Sequence, residues 1–371
     1  MQMRKLVFLS VTGEWGGSEE LWFRCAKAAL ERGYLIGIMT YNYQLSDNQI
    51  AELRKYPNAK FFVKKKNSIF HRIINKFLPE KYKLHDTGNI VKWKPELVVI
   101  TRGCSQGNEG IMSFLEKHNI KYCTVNHSAL EHMWPSTKGA LIIKHGFDHA
   151  VANYFVSNAN LKLTQSQIGA PVEKSKIIRN PFNVPFNTNL EYPDESTIKL
   201  AFVSRYDFNK GYDVLFDVLS QQKWKERNIE VNLYGSGEHE TGIKSLIHFF
   251  DLKNVFIRGY YSTIDIWKEN HALILPSRFE GFPIVIVEAM LCARFAIATN
   301  VGGIKEAIVD NENGFIAESP RTEYLDAAME RAWARRSEWK AIGQQAQKYI
   351  KSLIPEFPVT IFLDELLSKI N

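Results

Sequence analysis

Short apolar runs alternate with helix-length amphipathic stretches along most of the chain. In the first half the runs are KLVFLSV (5–11), YLIGIMTY (34–41), ELVVIT (96–101), KYCTVNH (121–127) and HAVANYFVS (149–157). In the second half they are IKLAFVSR (198–205), IEVNLYGSG (229–237), NVFIRGY (254–260), HALILPS (271–277) and RFAIATN (294–300). These runs lack the strict apolar–polar alternation of a strand with one wet face, so they read as strands covered on both faces. Strands of that kind separated by helices predict parallel, doubly wound α/β sheets. A first helix is expected from Ser18 to Arg32, with Ser18 as its cap and Glu19 and Glu20 in its first turn.

The alternation stops and restarts around NPFNVPFNTNLEYPDESTIKL (180–200), where Pro, Asn and acidic residues follow neither period. Two domains are therefore expected, at 1–184 and 199–355, with 185–198 as the linker. The tail is helical with a break near Pro355, and a last helix over 356–371 is expected to pack back on the first domain.

The chain has 371 residues, 45% of them hydrophobic, enough for two cores. The opening residues read as a strand and a glycine turn rather than a secretory signal, and no apolar run is long enough to span a membrane. Cys25, Cys104, Cys123 and Cys292 are scattered, which fits a reduced, cytoplasmic protein. The net charge of +7 is uneven: the first half is basic and the second mildly acidic. Much of the excess lies in residues 51–83. Within 61–83, Ile69, Phe70, Ile73, Ile74, Phe77 and Leu78 recur at near-helical spacing among Lys and Arg. That pattern suits either a core-facing helix with a solvated basic face or a helix lying on an anionic membrane.

Ligands of doubly wound sheets bind at the carboxyl ends of strands, so the strand exits carry the candidate chemistry. After HALILPS comes RFEGFPIVIVEAM (278–290), with Glu280, Gly281, Phe282 and Pro283 leading into an apolar helix at Ile284 that carries Glu288. Pro283 suits a first helical turn, and the first helical N–H groups suit an anion. Glu280 and Glu288 read either as a cap and an ion-pair partner or as a pair facing a polar ligand, since a carboxylate in an apolar helix needs a partner. In SRYDFNKGYD (204–213), Arg205 and Lys210 leave a strand together, which suits a diphosphate or a solvated turn. Gly235 and Ser236 form a glycine turn in LYGSG, and Gly16 and Gly17 do the same in TGEWGGSEE ahead of the first helix. His127 follows a strand and reads as structural or functional. No Walker A, HExxH or GxSxG occurs, the histidines do not fall at metal spacings, and no metal is expected.

Taken together and in this order, these segments resemble the family 4 glycosyltransferases. The match rests on Arg205 and Lys210, on the E-x7-E pair Glu280–Glu288, and on VGGIKEAIVDNENGFI (301–316), SKIIRNPFN (175–183) and ANYFVSNA (152–159). The resemblance implies the GT-B fold: α/β, two Rossmann-like doubly wound domains facing a central cleft. It implies a retaining, metal-independent hexosyltransferase that moves a sugar from a UDP- or GDP-sugar to a glycan or lipid-linked acceptor, in bacterial surface polysaccharide or lipopolysaccharide biosynthesis. The nucleotide-sugar is a co-substrate and no further cofactor is implied.

By the same resemblance, Arg205 and Lys210 neutralise the departing diphosphate, Glu280 meets the sugar or nearby phosphate, and Glu288 holds the ribose. Gly281, Phe282, Pro283 and Ile284 bind the donor through the exit loop and helix start, with Gly235, Ser236, Gly16 and Gly17 in support. Tyr260 lies by the base, and His127 touches the transferred sugar. Two departures stand out: CARFAIA (292–298) where the family has Gly-x-Pro, and EGFP where EGFG is commoner. The competing readings are a GT-B sugar-nucleotide epimerase, or a non-catalytic membrane- or nucleic-acid-binding protein. Nucleic-acid binding is disfavoured because the aromatics among the cations follow a helical spacing. The expected partners are the donor, the acceptor and an anionic membrane on the inner face of the plasma membrane, touched through 61–83.

Overall fold

The apolar runs become the strands of two parallel sheets. The computed structural model describes residues 4–12, 15–40, 48–62, 88–107 and 109–370. The stretch 63–83, on which the expected membrane contact falls, lies outside the described residues.

The first sheet holds β1 (Lys5–Ser10), β2 (Leu35–Thr40), β3 (Ala59–Phe61), β4 (Leu97–Arg102), β5 (Tyr122–Asn126), β6 (Ala152–Phe155) and β7 (Ser175–Ile177), in the order β3-β2-β1-β4-β5-β6-β7. The second holds β8 (Ile198–Val203), β9 (Ile229–Tyr234), β10 (Val255–Gly259), β11 (Ala272–Leu275), β12 (Phe295–Thr299) and β13 (Gly314–Ala317), in the order β10-β9-β8-β11-β12-β13. In each sheet the order reverses beside the first strand, between β1 and β4 and between β8 and β11. A doubly wound sheet opens its ligand crevice at such a reversal.

The reason for the unbroken apolar runs is visible in β1. Leu6 and Phe8 pack on one face with Leu21 and Trp22 of the helix Gly17–Glu31. Val7 and Leu9 pack on the other with Ile111, Met112 and Leu115 of the helix Glu109–Lys117. Both faces are dry, and each such side chain contributes about 1.5–3 kcal/mol of burial. The strands β3, β7 and β13 were not among the runs singled out; they are three or four residues long and lie at sheet edges, too short to show a period. The first helix begins at Gly17 rather than Ser18, with Gly16 as its cap in extended conformation; the Ser18 hydroxyl bonds Glu19 instead.

The chain divides into two compact units, Met1–Pro181 with Phe357–Asn371, and Phe182–Glu356. The helix Pro358–Leu367 returns to the first: Phe362, Leu363 and Leu366 enter the core beside Leu21 and Cys25, and Arg32 pairs with Asp364. Residues 185–198, which lack periodicity, lie along the second unit. The Thr188 carbonyl accepts from Gln347 at 2.8 Å, and the Glu191 carbonyl accepts from Arg294 at 2.7 Å. Arg294 belongs to the divergent CARFAIA segment. It is fully buried and also donates to the carbonyls of Trp267 and Asn270. Ala293 before it sits at φ 55°, the left-handed region that a glycine enters without a Cβ penalty. No helix among the described residues is long and apolar enough to cross a membrane.

Candidate functional site

The loops leaving β8 and β11 flank the reversal of the second sheet, and they are fastened to each other. After β8 the chain makes a short 3-10 turn, Phe208–Lys210, capped by the Asp207 carboxylate, which accepts the Asn209 N–H at 2.9 Å. It leaves through Gly211 at φ 74°, where a Cβ would stand 2.1 Å from the Pro276 carbonyl oxygen. Only glycine lets the two loops approach this closely. From the other side, the Arg278 N–H donates to the Asn209 carbonyl at 2.7 Å. The Arg278 guanidinium grips Asp213 with two hydrogen bonds, 2.9 and 2.6 Å, and lies over the Phe208 ring at 4.0 Å.

This clamp brings Lys210 and Glu280 together: Nζ stands 2.6 Å from Oε1, with side-chain exposures of 20% and 11%. The Ser277 hydroxyl donates to the same carboxylate oxygen at 2.7 Å. Arg205 leaves β8 on the same loop and is exposed.

Glycines also tie in the flanking loops. Gly302 lies at φ 53°, where a Cβ would be 1.9 Å from the Glu280 carbonyl oxygen, and the Gly303 N–H donates to Gly281 at 2.8 Å. Gly235 lies at φ 132° with the Ser204 carbonyl oxygen 1.9 Å from its would-be Cβ, and the Ser236 carbonyl accepts from Tyr206 at 2.9 Å. Four strand exits therefore form one connected rim. Tyr260, at the end of the edge strand β10, is 93% exposed.

Pro283 caps the helix Ile284–Leu291 rather than starting its first turn. Phe282 is buried, and Gly281 and Ile284 are half-buried. Glu288 is buried in that helix, and its Oε1 accepts both the backbone and the side-chain N–H of Asn183 at 2.9 Å. The protein itself thus supplies one partner for this carboxylate. A separate cavity lined by Glu195, Asn228, Trp333 and Arg336 lies toward the start of β8 and holds none of the candidate residues.

In the first unit, the corresponding exits follow β1 and β4. Gly16 is extended, with nothing within 4 Å of a would-be Cβ, and Gly17 begins the helix. The Glu19 carboxyl is buried beneath this turn; burial raises its pKa, and hydroxyl hydrogen bonds from Ser18, Thr12 and Ser10 oppose the shift.

At the end of β4, Arg102 is 1% exposed. Its Nη2 donates to the Gly107 carbonyl at 2.7 Å and stands 3.4 Å from Glu109. Its Nε and Nη1, the hydroxyls of Thr101 and Ser105, Asn126 Oδ1 and both ring nitrogens of His127 have no hydrogen-bond partner among the described residues. Burial pushes the His127 pKa down to about 3, so the ring is neutral at pH 7. Buried polar atoms are ordinarily paired, so this concentration at the ends of β4 and β5 is a candidate ligand surface. Sequence reading found His127 and missed Arg102, which closes LVVITR at the strand's last position.

Residues 190–349 match the family model described as glycosyl transferases group 1. An uncharacterized glycosyltransferase of Methanocaldococcus jannaschii is 28% identical over 153 residues, 40% of this chain and 42% of that protein. The capsular polysaccharide biosynthesis glycosyltransferase CapM of Staphylococcus aureus is 25% identical over 209 residues, 56% of this chain and 53% of that protein. The match thus spans less than two thirds of either relative's length. Among solved structures, Anabaena HepE in complex with UDP and glucose superposes with a TM-score of 0.77 at 19% identity, covering 98% of this chain and 99% of that one. A glycosyltransferase of Rickettsia africae superposes likewise, with a TM-score of 0.75 at 19% identity, covering 100% of this chain and 99% of that one. The second unit thus carries the glycosyl transferases group 1 match, and the chain as a whole has the two-domain α/β fold, GT-B, of these solved structures.

Proposed function

We propose that this protein is a retaining glycosyltransferase that moves a sugar from a nucleotide-sugar to a glycan or lipid-linked acceptor in surface polysaccharide assembly. The observation that carries the reading is the Lys210–Glu280 pair, 2.6 Å apart at the reversal of the second sheet and braced by Ser277 and the Arg278–Asp213 clamp. In transfer, the bond from the anomeric carbon to the diphosphate breaks, and negative charge grows on the departing nucleoside diphosphate. Fixed cations aimed at that charge lower the barrier without reorganising. Lys210 and Arg205 are those cations, and Glu280 holds Lys210 in place and meets the donor. The first helical N–H groups at Ile284 and Val285 add a partial positive charge. Glu288, fastened by Asn183, stands for the ribose.

The acceptor falls to the strand ends of the first unit, where Arg102, Ser105, Asn126 and His127 present unpaired polar atoms. HepE, of the same fold, was solved with UDP and glucose, and CapM is a capsular polysaccharide enzyme, which supports the donor and acceptor classes. An acceptor at a membrane surface is favoured by one face of the helix Thr137–His149, where Leu141 and Ile142 are exposed beside Lys138, with Trp134 just ahead.

Thermal shift against UDP, GDP and ADP tests the reading. One nucleotide at 100 times its Kd should add about 2.7 kcal/mol to stability, and the Arg205→Ala/Lys210→Ala variant should lose that gain. No shift with any nucleotide, or an equal shift in the variant, would overturn the donor assignment. Anomeric configuration is then read from the product by NMR.

A further inference from the structure

We propose that Glu116, His145 and His149 form a binding site for a divalent transition-metal ion of the zinc class. The histidines are one helical turn apart in KHGFDH, at i and i+4 of the helix Thr137–His149, which puts both rings on one face. Their ring centroids are 4.1 Å apart. Glu116 reaches them from the last turn of the helix Glu109–Lys117: Oε2 lies 3.1 Å from His145 Nε2, and Oε1 lies 3.1 Å from His149 Nδ1. One ligand atom from each residue falls within 4.8 Å of the other two. Two ligands of a tetrahedral zinc ion stand about 3.3 Å apart at ordinary Zn–N and Zn–O lengths, so the three groups are already near coordination spacing. This corrects the reading that the histidines do not fall at metal spacings.

Hydrogen bonding alone leaves the cluster incomplete. His149 Nδ1 also lies 2.9 Å from the His145 carbonyl oxygen. One Nδ1–H cannot serve both that carbonyl and the carboxylate fully. Glu116 Oε1 is indeed buried without a hydrogen-bond partner among the described residues. A buried lone pair beside two imidazoles is a donor set for a cation that prefers mixed nitrogen and oxygen ligands. The field has the right sign as well, because both helices end at the cluster and direct their negative ends toward it.

Both helices lead into their next strand from this end, so the cluster lies at the edge of the first sheet opposite the strand carboxyl ends. The metal would clasp two helices together, with an open position left to water, and the site stands apart from the proposed transfer chemistry.

Calorimetric titration of the reduced full-length protein with zinc alone tests this. The expected result is one ion per chain with micromolar affinity, weakened at least tenfold in His145→Ala and in His149→Ala. Glu116→Gln, which keeps the side-chain shape, should weaken it too. Zinc should raise the Tm of the wild type and leave that of His145→Ala/His149→Ala unchanged, with the metal-free Tm of each variant in EDTA showing that it folds. No binding up to millimolar zinc, or equal affinity in the double variant, would overturn the site.

Discussion

Lys210 and Glu280 are 70 positions apart, and what joins them is a strand order no local pattern contains. A cation and a carboxylate at strand exits were legible in the sequence; the 2.6 Å contact, and the Arg278–Asp213 clamp behind it, were not, because both arise from β8 and β11 being neighbours. If Lys210 is the leaving-group cation proposed above, Lys210→Ala should lower kcat by about 100-fold or more. Glu280 keeps its Ser277 hydrogen bond, so stability should move by no more than about 2 kcal/mol; kinetics and a denaturation curve together check this.

His127 makes a separate prediction. Its pKa in the fold is about 3, below the ordinary 6.5, because burial disfavours the charged ring. The contribution of a neutral buried ring is complete above about pH 6.5 and is lost as the pH falls toward 3. At pH 4.5 the cost is about 2–3 kcal/mol. His127→Gln should therefore flatten the fall in urea midpoint between pH 6.5 and 4.5, and parallel curves for the two proteins would count against it.

At the scale of elements, the glycine turns separate by what surrounds them. Gly302 has a positive φ and a carbonyl oxygen where a Cβ would go, whereas Gly16 is extended with open space around it. Gly302→Ala should cost about 2–4 kcal/mol and displace Glu280. Gly16→Ala should change stability by no more than about 1 kcal/mol, so any loss of activity there would report close approach of a ligand to the backbone. Differential scanning calorimetry with a kinetic assay distinguishes the two. Sequence reading treated the turns at Gly16 and Gly235 as the same device, since a glycine's spelling does not reveal its φ or its neighbours; Gly235, like Gly302, has a positive φ and a carbonyl oxygen where a Cβ would go. The long central strands were legible because burial on both faces forces an unbroken apolar run; the edge strands β3, β7 and β13 were not, having too few residues to show a period.

At the scale of the molecule, the last helix matters more than its distance in sequence suggests. Phe362, Leu363 and Leu366 complete the core around Leu21 and Cys25. Ending the chain after Glu356 removes three buried side chains, each contributing about 1.5–3 kcal/mol, and should unfold the first unit. Two separated calorimetric transitions, with only the first lost or lowered, are the expected record. Alternation of apolar runs and helices, the restart near residue 190 and the charged strand exits determined the fold class and most candidate residues, because burial and strand-end chemistry leave a local imprint on composition. Which residues meet was decided by folding alone. Lys210 with Glu280, Glu288 with Asn183, Glu116 with His145 and His149, and the unpaired polar atoms of Arg102 depend on strand order and helix packing, contacts between segments far apart in the chain that no short window encodes.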